Sequence, residues 1–217
     1  MKVTVPTSLA DIKLYQYQEY LEAIKQSENE KDGELFLAIK SMEIFCGVSE
    51  SEMMLMNYDI VTTIVERIKQ ILLQEPKRVE FFKIGNIKFG WLPKLDDMTY
   101  GEFIDLNGNI SEWDTIIVSM GVLYRPVTKE FRGKYLVEDY KGDSYHDALK
   151  HMPMDAVVGA MVFFWNLGLD CLTYMTTYLE EQKMKMSLPN QQNLVDDGIG
   201  MQQSMNLLEA TLRSFKV

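Results

Sequence analysis

The sequence predicts a mainly α-helical protein. It should comprise a helical domain with a small β-hairpin, a long buried helix near the C-terminal third, and an appended C-terminal amphipathic helix. Three observations predict this. Apolar residues recur every three or four positions through most of the chain, the period of a helix with one buried face. The apolar stretch from Met154 outruns the length of an ordinary strand. A single pair of β-type runs, around Gly85-Asn86, carries a hairpin signal.

Taken in order, Lys2 to Val5 is a β-type run stopped by Pro6. Ser8 with Asp11 three residues later forms an N-cap pattern, and the helix it opens should reach about Lys25, with Leu14, Tyr17, Leu21 and Ile24 on its apolar face. After the polar run SENEKDG, a second helix over about Glu34 to Phe45 ends at Gly47, a natural left-handed stop. Ser49 with Glu52 opens a short helix. Asn57 or Asp59 opens a longer one to about Gln74, with Ile60, Ile64, Ile68, Ile71 and Leu72 turned inward.

Pro76 closes this helical half, and the hairpin follows at about residues 78–91. Its strands are Arg78 to Ile84 and Ile87 to Trp91; the order Gly-Asn suits a type II′ turn better than I′. Thr99 and Glu102 make a capping box for a helix through Leu106, which Asn107-Gly108 should break. Ser111 should cap the next helix, carrying Trp113, Ile116, Ile117, Met120, Leu123 and Tyr124 and ending near Arg125 because Pro126 follows. Val127 to Gly142 reads as a surface excursion with one strand at Lys134 to Glu138, then a short helix around Asp143 to His151.

The longest element should run from Met154 to about Lys183, apolar on every side in its first half and therefore the central buried helix. Within it Ala156 to Leu169, bounded by Asp155 and Asp170, is shorter than the roughly 20 apolar residues a bilayer needs, so it reads as core. Gly159 and Gly168 either permit close helix approach or weaken the helix. The helical domain thus covers residues 1–185, a polar linker 186–198, and the amphipathic helix 199–217. In that last helix Met201, Met205, Leu208, Leu212 and Phe215 are spaced four, three, four and three, an a/d stripe. Such a stripe either folds back on its own domain or docks on a partner.

Composition sets limits on function. With 47% hydrophobic and 25% charged residues the chain is globular rather than disordered. A net charge of −10 disfavours sequence-independent binding to nucleic acid and to anionic membranes. Cys46 and Cys171 lie in apolar flanks and read as buried free thiols, with neither disulfide nor zinc spacing. The N-terminal MKVTVPTSLADIK has no hydrophobic leader core.

Candidate chemistry is sparse. Asp96, Asp97, Glu102 and Asp105 form an acidic group, but Glu102 has a capping role and Asp96 and Asp97 lie in a turn beside Pro93, so structural capping is the stronger reading over paired-carboxylate catalysis. His146 and His151 are five apart, about 140° around a helix, and so do not form a zinc-gripping pair; they read as surface histidines. No nucleophile elbow, Walker motif or dinucleotide fingerprint occurs. No catalytic, cofactor or metal residues are therefore assigned. Arg125 either caps a helix C-terminus or anchors an interface; with Trp91 and the stripe residues Met201, Met205, Leu208, Leu212 and Phe215 it completes the candidate partner surface. Phe163, Phe164 and Trp165 read as core rather than a ligand box.

Several phrases, VPTSLADIKLYQYQEYL, MEIFCGVS, FKIGNIKFGWLPKLDDMTYGEFIDL, MGVLYRP and MPMDAVVGAMVFFWNLG, together resemble small virion-morphogenesis proteins of tailed bacteriophages, especially crAss-like and related phages of gut Bacteroidetes. The resemblance spans about Val3 to Gly168 and brings no catalytic or binding residues with it. It implies a non-enzymatic structural protein, a repeated subunit of the head–tail connector or tail, made in the host cytoplasm and carried in the virion. Its partners would be portal, connector or tail subunits and copies of itself. The alternatives are a soluble tail-assembly chaperone absent from the mature particle, and a cell-wall-degrading enzyme.

Overall fold

The structure is a computed structural model that describes residues 3–185. It is mainly α with a small antiparallel sheet. The chain divides into two units, residues 1–160 and 161–217. The expected linker 186–198 and terminal helix 199–217 lie outside the described residues.

The first unit begins with a helical half: α1 (Leu14–Ser27), α2 (Gly33–Cys46), α3 (Glu50–Met53) and α4 (Tyr58–Leu72). α2 packs against the other three: Met42, Val48, Met53, Val61 and Val65 form the core it shares with α3 and α4, and Tyr20 of α1 meets Phe45 of α2 at 5.2 Å. Local chemistry sets the boundaries. Gly47 takes φ 65° and ends α2 in the left-handed region that a side chain would resist. Ser49 and Glu52 cap α3 reciprocally, and the Asn57 side chain accepts the Asp59 N–H to start α4.

Three expectations change in this half. Val3 to Thr7 forms no strand; chain pairing comes later, where the Leu14 N–H donates to the Met152 carbonyl and the Met154 N–H to Ile12. The single helix from Ser8 divides into a 3-10 turn, Leu9–Asp11, and α1, because Asp11 accepts from Thr7 and Ser8 while Gln16 accepts the Lys13 N–H and caps afresh. The buried row of α4 is Val61, Val65, Ile68 and Ile71, with Ile60 exposed. Two apolar rows one residue apart compete on α4, and contact with α2 and α3 selects the valine row.

The second half of the unit is built on a four-stranded sheet in the order β1 (Phe81–Ile84), β2 (Ile87–Trp91), β3 (Tyr124–Phe131), β4 (Lys134–Val137), all neighbours antiparallel. The expected hairpin is β1–β2, in register Phe82 with Phe89 and Ile84 with Ile87. Gly85 has φ 56° whereas Asn86 does not share a positive φ, the signature of a II′-type turn. The strand expected at Lys134 to Glu138 is β4, and the excursion that carries it is more ordered than expected: β4 pairs with β3 as a second hairpin, turned through Arg132 and Gly133 at φ 48° and 77°. Both angles are positive, as a type I′ turn demands. Gly90 on β2 leaves room for Phe81 and Tyr135 to meet across it, ring centroids 4.5 Å apart; an added Cβ would lie 2.9 Å from the Tyr135 ring.

Against this sheet the sequence places α5 (Tyr100–Asn109), α6 (Ile116–Leu123), the short α7 (His146–Leu149) and the start of α8 (Met154–Lys185). α5 runs through Asn107-Gly108 rather than stopping, held by the Asn109 side chain donating to the Asp105 carbonyl. The expected Trp113-to-Arg125 helix is shorter at both ends: Ser111 to Thr115 are turns, and Tyr124, Arg125 and Pro126 begin β3. Trp113 instead packs its ring on Tyr17 at 4.7 Å, and its carbonyl accepts from Gln18.

In α8, Met154, Ala156, Val157 and Ala160 are fully buried in the first unit. From Asn166 onward most described side chains are exposed, Leu167 and Leu169 among them, so the apolar stretch 156–169 is core only in its first turns. By length and composition Met154–Tyr178 could also cross a membrane, which the shorter window 156–169 does not suggest. Gly159 does serve close approach: a Cβ there would lie 2.7 Å from the Lys77 carbonyl oxygen. Gly159→Ala should therefore destabilise the protein by about 1–3 kcal/mol, because backbone has to yield. Gly101→Ala, on α5 with open space around it, should be neutral or stabilise by up to about 1 kcal/mol. Urea unfolding of the two variants reads the contrast.

Candidate functional site

The dense acidic region around α5 resolves into a scaffold. Thr99 caps the helix: its hydroxyl accepts the Glu102 N–H at 3.3 Å, and Glu102 Oε2 accepts the Thr99 N–H at 2.6 Å. The other carboxylate oxygen receives Arg125 Nη2 at 2.5 Å, and Arg125 Nε donates to the Val122 carbonyl at 2.9 Å. One carboxylate thereby ties the start of α5 to the end of α6 and the first residues of β3. Both partners are buried, Glu102 at 6% exposure. Burial pushes the Glu102 carboxyl up, but the Thr99 N–H and hydroxyl and the Arg125 guanidinium outweigh it and hold the group below the usual range.

Two further ties fix the same helix. The buried Ser119 hydroxyl on α6 donates to the Leu106 carbonyl at 2.9 Å. The Tyr140 hydroxyl donates to Asp105 Oδ2 at 2.8 Å, while its ring lies 5.5 Å from the Arg125 guanidinium carbon. Burial, then this bond to Asp105, pushes the Tyr140 phenol well above its ordinary value, so it stays a neutral donor.

The result is an inverted helix. α5 turns Glu102 and Leu106 inward and presents Tyr100, Phe103 and Ile104 to solvent at 79%, 51% and 52% exposure. Positions i, i+3 and i+4 share one face, so these three make a continuous apolar row on a rigidly held support. Its carboxylates are engaged separately. Asp96 and Asp97 lie exposed in a 3-10 turn, Asp97 beside Lys94 at 3.4 Å, and Glu102 and Asp105 have the partners described. The four acids do not converge on a common point.

The other sequence candidates fall as follows. Arg125 is inside the unit and serves the carbonyl of Val122 near the end of α6, which is the capping alternative; its burial removes it from an outward surface. Trp91 is likewise buried, edge-on to Tyr124 at 5.2 Å with the Arg78 guanidinium 4.8 Å from its ring. The close strand pairing of β2 with β3 draws both residues inward. Met201, Met205, Leu208, Leu212 and Phe215 lie outside the described residues. His151 is exposed against the Tyr15 ring at 5.2 Å. His146 is half-buried against Gly121, not a surface residue, because α7 packs on α6. Cys46 is half-buried and burial pushes its thiol up. Cys171 is exposed, against expectation, because it lies on the part of α8 beyond the first unit's core. Among the described residues no group of three His, Cys, Asp or Glu is placed to hold a metal ion.

The Thr99–Glu102 capping box is legible in the sequence, but no faces were assigned to this helix, and so the outward row Tyr100, Phe103 and Ile104 was missed; the signal was Glu102, which a capping box can draw inward. No family model, curated protein or solved structure matches the chain.

Proposed function

We propose that this protein is a non-enzymatic structural component of a tailed-phage virion, a repeated subunit of the head–tail connector or tail that works through protein–protein contacts. The resemblance of residues 3–168 to virion-morphogenesis proteins motivates the class. The observation that carries it is the apolar row Tyr100, Phe103 and Ile104, outward on a helix whose underside is fixed by the Glu102–Arg125 pair. Aromatic side chains held on rigid elements are the groups that dominate association energies. The β3–β4 hairpin adds Phe131 and Leu136, also exposed. The sheet edge at β4 is a second place where a neighbouring chain can pair.

Mass spectrometry of purified particles tests the reading: a fixed stoichiometry supports it. Abundance in infected-cell lysate with absence from mature particles would instead establish a departing chaperone. Phe103→Asp should reduce incorporation into particles by about tenfold or more, as loss of a hot-spot aromatic does, while the melting temperature of the isolated protein stays within a degree or two of wild type. Unchanged incorporation would remove α5 from the contact.

A further inference from the structure

Two exposed surfaces of the first unit carry opposite charge around apolar centres. The first is the end of the β3–β4 hairpin. Residues opposite each other on paired strands, and residues two apart on one strand, share a face. Lys129, Phe131, Lys134 and Leu136 therefore lie together, in the register Lys129 with Leu136 and Phe131 with Lys134. All four are exposed, Phe131 at 70% and Leu136 at 60%. Arg132 in the turn holds its guanidinium carbon 5.0 Å from the Phe131 ring and adds a third cation. Glu130 lies on the other face, where it pairs with Lys88 and where the Tyr135 hydroxyl donates to the Trp91 carbonyl. The hairpin end is thus aromatic and cationic, in a chain of net charge −10.

The second surface is a groove of about 320 Å³ in the helical half. Leu35, Phe36 and Ile39, neighbours on one side of α2, form its floor, and Leu35 is 49% exposed. Glu30 and Asp32 between α1 and α2, with Glu50 at the start of α3, form its rim. Among the described residues none of these three carboxylates has a salt-bridge partner. Lys40 and Glu43 beside them neutralise each other at 2.7 Å, so Lys31 is the one other cation at the rim. The volume lies at the lower end of the roughly 300–1,000 Å³ that receives a whole small ligand, enough for a single ring.

We propose that the hairpin end of one copy docks in the α2 groove of a second copy. Phe131 enters over Leu35 and Phe36, while Lys129, Arg132 and Lys134 meet Glu30, Asp32 and Glu50. Charge complementarity selects this occupant. Like net charge opposes contact between copies in general, and this orientation replaces the repulsion with attraction. Neither surface is covered by its own chain: the groove is lined from the helical half alone, and the hairpin end is exposed. Because the two surfaces differ, the contact is heterologous. Each bound copy still offers a tip and a groove, so repetition gives a ring where the rotation closes and a filament where it does not. The proposal names the partner of the hairpin surface, but it stands on the charge match and is tested in purified protein, separately from incorporation into particles.

One tip in one groove falls below the standard interface of about 1,200–2,000 Å², so a dissociation constant on the order of 100 μM is expected. Sedimentation equilibrium of the full chain across that range should show reversible growth past the monomer. It is run at about 0.1 M salt, where charges beyond about 10 Å are screened. Phe131→Asp and Leu35→Asp, both at exposed positions, should each weaken association at least about tenfold, with melting temperatures within about two degrees of wild type. Mixed in equal amounts, the two should form a 1:1 dimer near the wild-type affinity and grow no further. The intact tip of the Leu35→Asp chain then meets the intact groove of the Phe131→Asp chain, and the reciprocal contact is lost. Charge is read in the same way. Lys129→Glu with Lys134→Glu should self-associate weakly and recover when mixed with Glu30→Lys with Asp32→Lys. A wild-type chain that stays monomeric throughout would overturn the proposal, as would failure of either mixture to recover. Loss in both aspartate variants without recovery would indicate like surfaces pairing, tip on tip along the β4 edge. Binding of monomeric wild type to phosphatidylcholine–phosphatidylglycerol vesicles, lost in Phe131→Asp, would overturn it too and assign the tip to an anionic membrane.

Discussion

Arg125→Met is expected to lower the stability of the fold by about 3–5 kcal/mol, the usual consequence of leaving one member of a buried ion pair without its partner. Glu102 is buried and accepts from Arg125 through Oε1, so the variant strands a desolvated carboxylate under α5. It also removes the donor to the Val122 carbonyl at the end of α6. The double variant Glu102→Gln with Arg125→Met should recover part of the loss, because a neutral amide costs less to bury and can still accept the Thr99 N–H. Urea unfolding of the two singles and the double gives the coupling energy directly. An additive cycle would mean that the pair contributes nothing to holding α5.

The same pair sets an acid limit. Glu102 titrates below its ordinary value in the folded protein, so the unfolded chain takes up the proton first as pH falls. Its contribution is fully present above the ordinary glutamate value of about 4.3 and is lost as pH falls through the depressed folded value. The gap between wild type and Arg125→Met should therefore narrow on acidification, since protonation dissolves the ion pair in the wild type too.

What the sequence disclosed and what it hid divide by distance along the chain. The caps at Ser49, Asn57 and Thr99, the stop at Gly47 and the Gly85-Asn86 turn were legible because each is settled by residues within four positions. Strand β4 was legible at Lys134 to Glu138, but β3 and its pairing with β4 were hidden for two local reasons. Arg132-Gly133 replaces the usual Asn-Gly at its turn, and Pro126 reads as the end of an element. Instead Pro126 pairs with Phe89 while its carbonyl accepts the Glu138 N–H, passing strand β3 from one neighbour to the other. The Glu102–Arg125 tie joins residues 23 positions apart, and no periodicity encodes it. The valine row of α4 was hidden because both candidate rows are apolar, and only packing against α2 and α3 decides between them. In the candidate site, the capping role of Glu102 could be read in advance, but the outward turn of Phe103 and Ile104 follows from what Glu102 meets inside.

Tyr124→Ala should be the other severe change, costing about 3–5 kcal/mol as large-to-small core substitutions of aromatic residues do. Tyr124 is among the largest fully buried side chains, at the first position of β3, where it packs on Phe82 at 5.0 Å and edge-on to Trp91 at 5.2 Å. Its hydroxyl donates to the Val79 carbonyl at 2.7 Å, joining the sheet to the segment that precedes β1. Tyr124→Phe separates the two contributions: it keeps the ring and should lose only about 1–2 kcal/mol, from a carbonyl left without its donor. Alkaline unfolding provides an independent readout. Burial pushes the Tyr124 phenol far above its ordinary value, so above about pH 10 the unfolded chain releases the proton first and stability falls as pH rises. Tyr140 is shifted the same way, so Tyr124→Phe should flatten this alkaline loss without abolishing it. An unchanged slope would mean that Tyr124 reaches solvent in the folded protein, and that the β3 end of the core is looser than the burial of Tyr124, Phe82 and Trp91 implies.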